Sequence, residues 1–379
     1  MERYPMISPD VDLLNGQGQN TNIGGNINPM FGDLIDPLDN PNIWNGHIEK
    51  LQKQRTLTDE KKGLFLIKPM NKWLDEAKST PIPEMLFSEF WHETELCILF
   101  ADTNMGKTTL TVQIADSISK GTPIKGFKME AQRQKVLFFD FELSAKQLEV
   151  KYSVNNNKML EDHYNFDENF IRVQIDPDHD LPDEGTIEAH INSSIERCII
   201  DTGAKIVIID NITYLRNETE KAKDALPLMK HLKALKTKHG LSILALAHTP
   251  KRDLSKPITR NDVSGSKALI NFVDSCFAIG ESHQDKNLRY IKQIKERNTE
   301  KIYDSENVVL CQMHKHHNYL AFEFIGYVKE QDHLKQVTEK DREALIEKVK
   351  ELSRQGNSQR QISIELGISL GAVNKYLKK

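Results

Sequence analysis

Gly106, Lys107 and Thr108 follow one another at the end of ILFADTNMGKTT, residues 98–109. A tight loop that turns its backbone N–H groups inward, closed by a lysine with a hydroxyl beside it, is what a triphosphate requires. The spacing predicts that Lys107 reaches the β and γ phosphates and that the Thr108 hydroxyl takes one Mg2+ position. The helix that follows would set its positive end under the anion. The expected phosphate-binding set is Ala101, Asp102, Thr103, Asn104, Met105, Gly106, Lys107, Thr108 and Thr109. Ala101 stands where the G-x-x-x-x-G-K-[ST] pattern begins with glycine, and it fits if its backbone avoids positive φ.

Further polar residues arrive at the ends of apolar runs. Val136–Phe139 is followed by Asp140 and Glu142, Ile206–Ile209 by Asp210, and Leu241–Ala247 by His248. Short continuous apolar runs fit parallel strands covered on both faces, and open α/β sheets bind ligands beyond the carboxyl ends of such strands. Asp140 and Glu142 are therefore expected to aim toward the phosphates. Glu142 is either the general base that polarises the attacking water or a helix-start carboxylate before a helix at 144–152. Asp210, about a hundred residues after the loop, is the expected magnesium-side acid. His248 is either a γ-phosphate sensor or a structural histidine.

The elements that position these residues are legible in outline. Cys97–Phe100 reads as the strand before the loop, and Leu110, Ile114 and Ile118 as the buried face of the helix after it. Further helices are expected at 70–77, 186–198 and 223–239, with Pro227 tolerated in a first turn. Phe170–Ile175 and Asn271–Gly280 read as strands, and LRYIKQIKERN alternates as a strand with a charged tip. Val308–Met313 and Leu320–Gly326 make a hairpin. Residues 314–317, His-Lys-His-His, read as its turn, with metal binding as the alternative.

Composition sets limits on the whole. The 379 residues, 38% of them hydrophobic, suit one large domain and a small one, and the net charge of −4 confines any nucleic-acid contact to local patches. No apolar run approaches the roughly 18 residues of a membrane span, and the N-terminus lacks a signal-peptide layout. Cys97, Cys198, Cys276 and Cys311 are far apart in apolar surroundings, as buried thiols of a reducing cytoplasm would be. Residues 1–60, rich in Asn, Gly, Asp and Pro, read as a disordered arm, with Met30–Trp44 an alternative docking segment.

Two basic regions suggest DNA. The loop after His248 carries Lys251, Arg252, Lys256, Arg260 and Lys267, which suits a nucleic-acid backbone or a solvated loop. Residues 329–340 form a charged linker, after which Asp341–Arg354 reads as an amphipathic helix closed by Gly356. SQRQISIELGISLGAVNKYLKK has helix-turn-helix spacing, with Ile362, Leu366, Ile368, Val373 and Tyr376 inward, Gly367 at the turn and small Ser363 between the helices. Ser369, Gly371, Asn374 and Lys375 would face DNA bases, and Arg360, Lys378 and Lys379 phosphates. An all-α cap without DNA contacts is the alternative. Lys295 and Arg297, two apart in IKERN, read as a polar hairpin end or as an arginine finger for a neighbouring subunit's phosphate.

Together, ADTNMGKTT, FFDFELS, IVIIDN, LALAHTPK and IKERN resemble RecA-like ATPases, in the branch that includes the DnaB and plasmid RepA hexameric helicases. The resemblance spans about Glu95 to Tyr327. It implies an α/β fold with a mainly parallel sheet flanked by helices over residues 61–328, beside the small all-α helix-turn-helix domain at 341–379. It further implies ATP and Mg2+, a ring of subunits (a hexamer) with ATP between neighbours, and single-stranded DNA in the channel. By motif, Lys107 and Thr108 would bind phosphate and Mg2+, Glu142 activate water, Asp210 hold the metal and His248 sense the γ phosphate. Lys295 and Arg297 would be the trans-acting fingers, and the basic loop the channel contact. No helical primase-binding domain precedes the core, so the expected role is replication or mobilisation of a plasmid, phage or other mobile element. The competing reading is a DNA-binding regulator in which ATP only switches assembly. A P-loop kinase fits less well, for want of an acceptor pocket and an arginine-rich lid.

Overall fold

The computed structural model describes residues 65–157, 159–178, 187–215, 225–250, 252–263, 267–336 and 339–378. The arm expected at 1–60, Lys251, Lys379 and the side chain of Lys267 lie outside the described residues. The chain divides into two compact units, Met1–Pro81 and Ile82–Lys379. In the first, helix α1 spans Met70–Ala77 after Pro69, which stands where a missing N–H costs nothing. Lys68 pairs with Glu76 at 2.8 Å and lies 4.9 Å from the centre of the Trp73 ring.

The second unit opens with a small hairpin, β1 (Met85–Phe87) and β2 (Trp91–His92). Strand β3 (Leu96–Ala101) leads into α2 (Lys107–Lys120), and β4 (Val136–Asp140) into α3 (Ala145–Lys151). A second hairpin, β5 (Val154–Asn156) and β6 (Met159–Glu161), precedes β7 (Phe170–Val173). Then come α4 (Ile187–Thr202), β8 (Ile206–Asp210), α5 (Ala225–His239) and β9 (Ser242–His248). Helix α6 (Lys267–Phe272) precedes β10 (Ser275–Glu281), β11 (Leu288–Lys295), β12 (Val308–His316) and β13 (Tyr319–Val328).

Among the described residues, nine strands form one sheet in the order β13-β12-β11-β10-β3-β9-β8-β4-β7. From β10 to β7 every pairing is parallel, and β11, β12 and β13 extend the sheet antiparallel from β10. The parallel strands read as unbroken apolar runs because both faces are covered. In β3 the two-residue period sends Leu96, Ile98 and Phe100 into one core, shared with buried residues of α4, α5 and α6. Cys97, Leu99 and Ala101 enter the other, where Leu110, Ile114 and Ile118 of α2 are fully buried. Each such aliphatic side chain contributes about 1.5–3 kcal/mol by leaving water.

Two expectations are corrected. The apolar stretch 271–280 is not one strand: its start belongs to α6, and Ser275 begins β10 after a break at Val273 and Asp274. Residues 314–316 are not turn but strand, since β12 runs on to His316 and the chain reverses at His317 and Asn318. In that distal half burial alternates instead of being complete, so the residues look polar while remaining extended. The hairpin is held on α2 by Gln113, whose side chain donates to the Phe322 carbonyl at 3.1 Å and accepts from the Phe322 N–H at 2.9 Å.

Three C-terminal helices follow, α7 (Glu339–Arg354), α8 (Gln359–Leu366) and α9 (Leu370–Leu377). Ser358 and Ser369 cap the last two, and Gly367 ends α8 at φ 65°. Val349, Ile362 and Val373 make their small core, and the Ser363 hydroxyl donates to the Ile368 carbonyl at 2.6 Å. Among the described residues no helix is long and apolar enough to cross a membrane, and all four cysteines are free thiols.

Candidate active site

The loop between β3 and α2 takes its shape from two residues with positive φ, Asn104 at 63° and Gly106 at 91°. Ala101 is the last residue of β3 and has no positive φ, so an alanine meets no backbone penalty there. Gly106 is required twice over. Besides its φ, a Cβ on it would lie 2.9 Å from the Phe322 ring and 3.1 Å from the Met313 sulfur. The Asp102 carboxylate accepts the Thr103 N–H at 2.7 Å, closing the first half of the loop.

Lys107 opens α2 with only 7% of its surface exposed. Its ammonium donates to the carbonyls of Ala101 at 3.1 Å and Asp102 at 3.2 Å, and to His248 Nδ1 at 3.1 Å. Burial pushes its pKa below the ordinary lysine value, against the opposing pull of Asp210, Glu142 and Asp102. Because an ammonium can only donate, Nδ1 of His248 accepts, and the ring proton sits on Nε2. That nitrogen is 3.2 Å from Glu142 Oε1 and donates to it.

Glu142 also accepts a short hydrogen bond from the Asn211 side-chain amide. The His248 bond does most to hold its carboxyl below the ordinary range, with Asn211 and the charge of Lys107 assisting. Ser144 supplies the side-chain cap of α3, and Glu142 stands two residues before it with its carboxyl engaged by His248 and Asn211. Asn211 carries no role in the sequence reading, although it closes the IVIIDN motif. Its carbonyl oxygen accepts from the Thr213 N–H at 2.7 Å, which fixes which end of the amide faces Glu142.

Asp210, fully buried at the end of β8, accepts the Thr108 hydroxyl at 2.5 Å through Oδ2. Its Oδ1 is buried and has no hydrogen-bond partner among the described residues. Burial, together with the Glu142 and Asp140 carboxylates, pushes its pKa up to about 7. A hard oxygen-ligated cation suits this hydroxyl and orphaned carboxylate oxygen, so the donor set fits Mg2+. Asp140 behaves differently from expectation. It turns away from the loop to Arg172 on β7, a residue without a sequence-level role, with Arg172 Nε 2.9 Å from Oδ2.

The remaining candidates lie elsewhere. β11 runs antiparallel to β10, so Lys295 pairs with Cys276 at the level of Ile98, at the end of the sheet opposite the phosphate loop. By strand spacing the separation is on the order of 15 Å. Lys295 donates to the carbonyls of Ile270 at 2.6 Å and Val273 at 2.7 Å, and Arg297 to Asp274 at 3.1 Å with about half its side chain exposed. In the basic loop Arg252 donates to the Lys256 carbonyl at 3.2 Å, Lys256 pairs with Asp253 at 2.9 Å and Arg260 is exposed. Arg360, Ser369, Gly371, Asn374 and Lys375 are exposed on the C-terminal helices, Ser369 through its cap role. His317 pairs with Asp162 at 2.5 Å and His316 with Glu323 at 3.3 Å, and among the described residues no three such groups converge as a metal site.

Residues 67–253, just under half of the chain, match the family model described as an AAA domain. The matched span contains the phosphate loop, Glu142, Asp210 and His248. No curated protein matches the chain. Among solved structures, a KaiC-like protein from the hyperthermophilic archaeon Pyrococcus horikoshii OT3 aligns at 14% identity and a TM-score of 0.42, over 62% of this chain and 93% of that one. The parallel sheet and the loop after β3 have the arrangement expected of a RecA-like fold, and the AAA-domain match over the same residues supports a P-loop ATPase.

Proposed function

We propose that the chain is a DNA-acting ATPase that assembles as a ring and serves replication or mobilisation of a mobile element, as a helicase or a closely related motor. The observation that carries its hydrolytic part is the continuous contact from Lys107 through His248 to Glu142, closed by Asn211. A group that binds phosphate and a group that takes a proton are thus joined by the residue assigned to sense the γ phosphate. Residues 101–109 hold the triphosphate, and Glu142, kept ionised by its neighbours, takes the proton of the attacking water. Thr108 and Asp210, joined by a hydrogen bond, would hold Mg2+, which when bound would screen phosphate charge.

The ring is supported by the position of Arg297. It cannot reach its own phosphate loop from the far end of the sheet, while its half-exposed guanidinium, paired with Asp274 within the subunit, could exchange that partner for a neighbour's phosphate. DNA contact rests on the basic loop after His248 and on the exposed polar face of α8 and α9. One experiment separates the readings. ATP turnover is measured with and without single-stranded DNA, alongside strand displacement on a forked duplex. Stimulation with unwinding is the expected result. Stimulation without unwinding makes the protein an ATP-switched regulator, and no response to DNA overturns the DNA-acting reading.

A further inference from the structure

We propose that Arg172 and Asp140 are a positioning pair that holds the Glu142 turn in its working shape. The inference rests on Glu142 being the base of an ATPase. Asp140 ends β4 with its side chain fully buried, and a buried carboxylate needs a countercharge and filled hydrogen-bond positions. Both are met, and each contact closes on the same turn.

Asp140 Oδ2 receives Arg172 through Nε at 2.9 Å and Nη2 at 2.8 Å. Its other oxygen, Oδ1, accepts the N–H of Glu142 at 3.1 Å and of Leu143 at 2.9 Å. Arg172 Nη2 also donates to the Leu143 carbonyl at 2.5 Å, and Gln174 joins it there at 3.0 Å. The two flanking amides are fixed as well, Phe141 N–H on the Asp210 carbonyl at 2.8 Å and Ser144 N–H on Gln147 at 2.9 Å. Every backbone N–H from 141 to 144 is therefore committed, and the Arg172 and Asp140 side chains together fix two of them and a carbonyl.

The charge arrangement gives Arg172 a second task. Asp140, Glu142 and Asp210 are three carboxylates clustered at neighbouring strand ends, with Lys107 the cation that faces the last two. Arg172, at the register position opposite Phe138 on the edge strand, neutralises Asp140 from the side away from the loop. Asp140 is thereby kept from competing for Lys107 or for a cation at Asp210. Strand adhesion alone does not call for this pair, since apolar residues of similar volume hold buried positions as well as an ion pair does.

The test compares R172M, R172K, D140N/R172M and E142Q in the full chain. ATP turnover and the affinity for a non-hydrolysable ATP analogue are measured in parallel. R172M is expected to lower kcat by about 10–100-fold while analogue affinity stays within about threefold, because misplacing a catalytic group acts on the rate and not on binding. D140N/R172M should regain part of the lost rate, since the uncompensated charge is gone and the Asn oxygen still accepts the turn amides. R172K, which keeps the charge but not the fork, should fall between wild type and R172M, and it carries the test if R172M does not fold. Wild-type turnover in R172M beside an inactive E142Q would overturn the positioning role and leave the ATPase reading standing. Parallel loss of binding and turnover in R172M and R172K, without recovery in the double variant, would reduce the pair to fold maintenance. Wild-type turnover in E142Q would remove the reading underneath.

Discussion

The Thr108 hydroxyl donates to the Asp210 carboxylate at 2.5 Å, joining the first turn of α2 to the end of β8. Two residues about a hundred positions apart thus meet where a divalent cation would be held. T108V and D210N are each expected to lower Mg2+-dependent ATP turnover by about 100-fold or more, whereas T108S retains most of it. Excess chelator should stop the wild type. Wild-type turnover by D210N at saturating Mg2+ would remove Asp210 from the metal site.

Asn211 offers a cleaner probe of Glu142 as the proposed base, because it touches Glu142 and His248 without belonging to the phosphate loop. N211A should lower kcat by about 10–100-fold and leave nucleotide affinity nearly unchanged. N211D makes a signed prediction. A second carboxylate beside Glu142 disfavours its ionised form, so the acid limb of the kcat–pH profile should move to higher pH. An unmoved limb, in a variant that still folds, would mean that Glu142 is not the group whose ionisation limits turnover.

Arg297 is predicted to act on a neighbour's nucleotide. Mixing R297A subunits with K107A subunits, each inactive alone, should restore ATPase activity, because mixed interfaces pair an intact loop with an intact finger. Activity that never rises above the two separate proteins, at any mixing ratio, counts against a shared site. The contact of Arg297 with Asp274 and the capping of α6 by Lys295 mean that R297A is the better variant, since truncating Lys295 also uncaps a helix.

Much of this site was readable because a strand buried on both faces ends where its first polar residue appears. Asp210 and His248 are such residues, and Glu142 follows one. What could not be read is which partner each polar group chooses across the sheet. Asp140 and Glu142 look alike in FFDFELS, yet the pairing of β4 with β7 brings Arg172 to one, and the end of β8 brings Asn211 to the other. The 271–280 stretch failed for a different reason. Uniform apolar composition does not distinguish a buried helix from a buried strand. Ala101 appeared as a departure from a glycine pattern, and the structure removes the difficulty by placing the left-handed backbone at Asn104 and Gly106.

Behind the basic loop lies a buried ion pair, Lys292 to Glu330 at 2.5 Å, with side chains 5% and 0% exposed. Lys292 also donates to the Ile258 carbonyl at 2.8 Å, and Glu330 accepts the Ile258 N–H at 2.7 Å, so the pair anchors the loop to β11. K292M alone leaves a buried carboxylate uncompensated and should cost about 3–5 kcal/mol in denaturant unfolding. K292M/E330L should recover much of that loss. A single variant as stable as wild type would mean that the pair contributes nothing to holding the loop.

Glu296 makes the stability of the protein depend on pH. Burial, reinforced by the nearby Glu95 carboxylate, pushes its pKa up to about 9, against the partial help of Gln293 and Lys301. Its Oε1 has no hydrogen-bond partner among the described residues. Since the folded value lies above the ordinary 4.5, the folded state holds a proton that the unfolded chain has released throughout the window from about 4.5 to about 9. This group therefore subtracts stability progressively as pH rises through that window. E296Q keeps the shape of the protonated acid and removes the cost of ionising it or of holding its proton. Its Tm should match wild type near the acid end of the window and exceed it toward the alkaline end, as measured by thermal melts across that range. An equal offset at both ends would show that packing, not protonation, separates the two proteins.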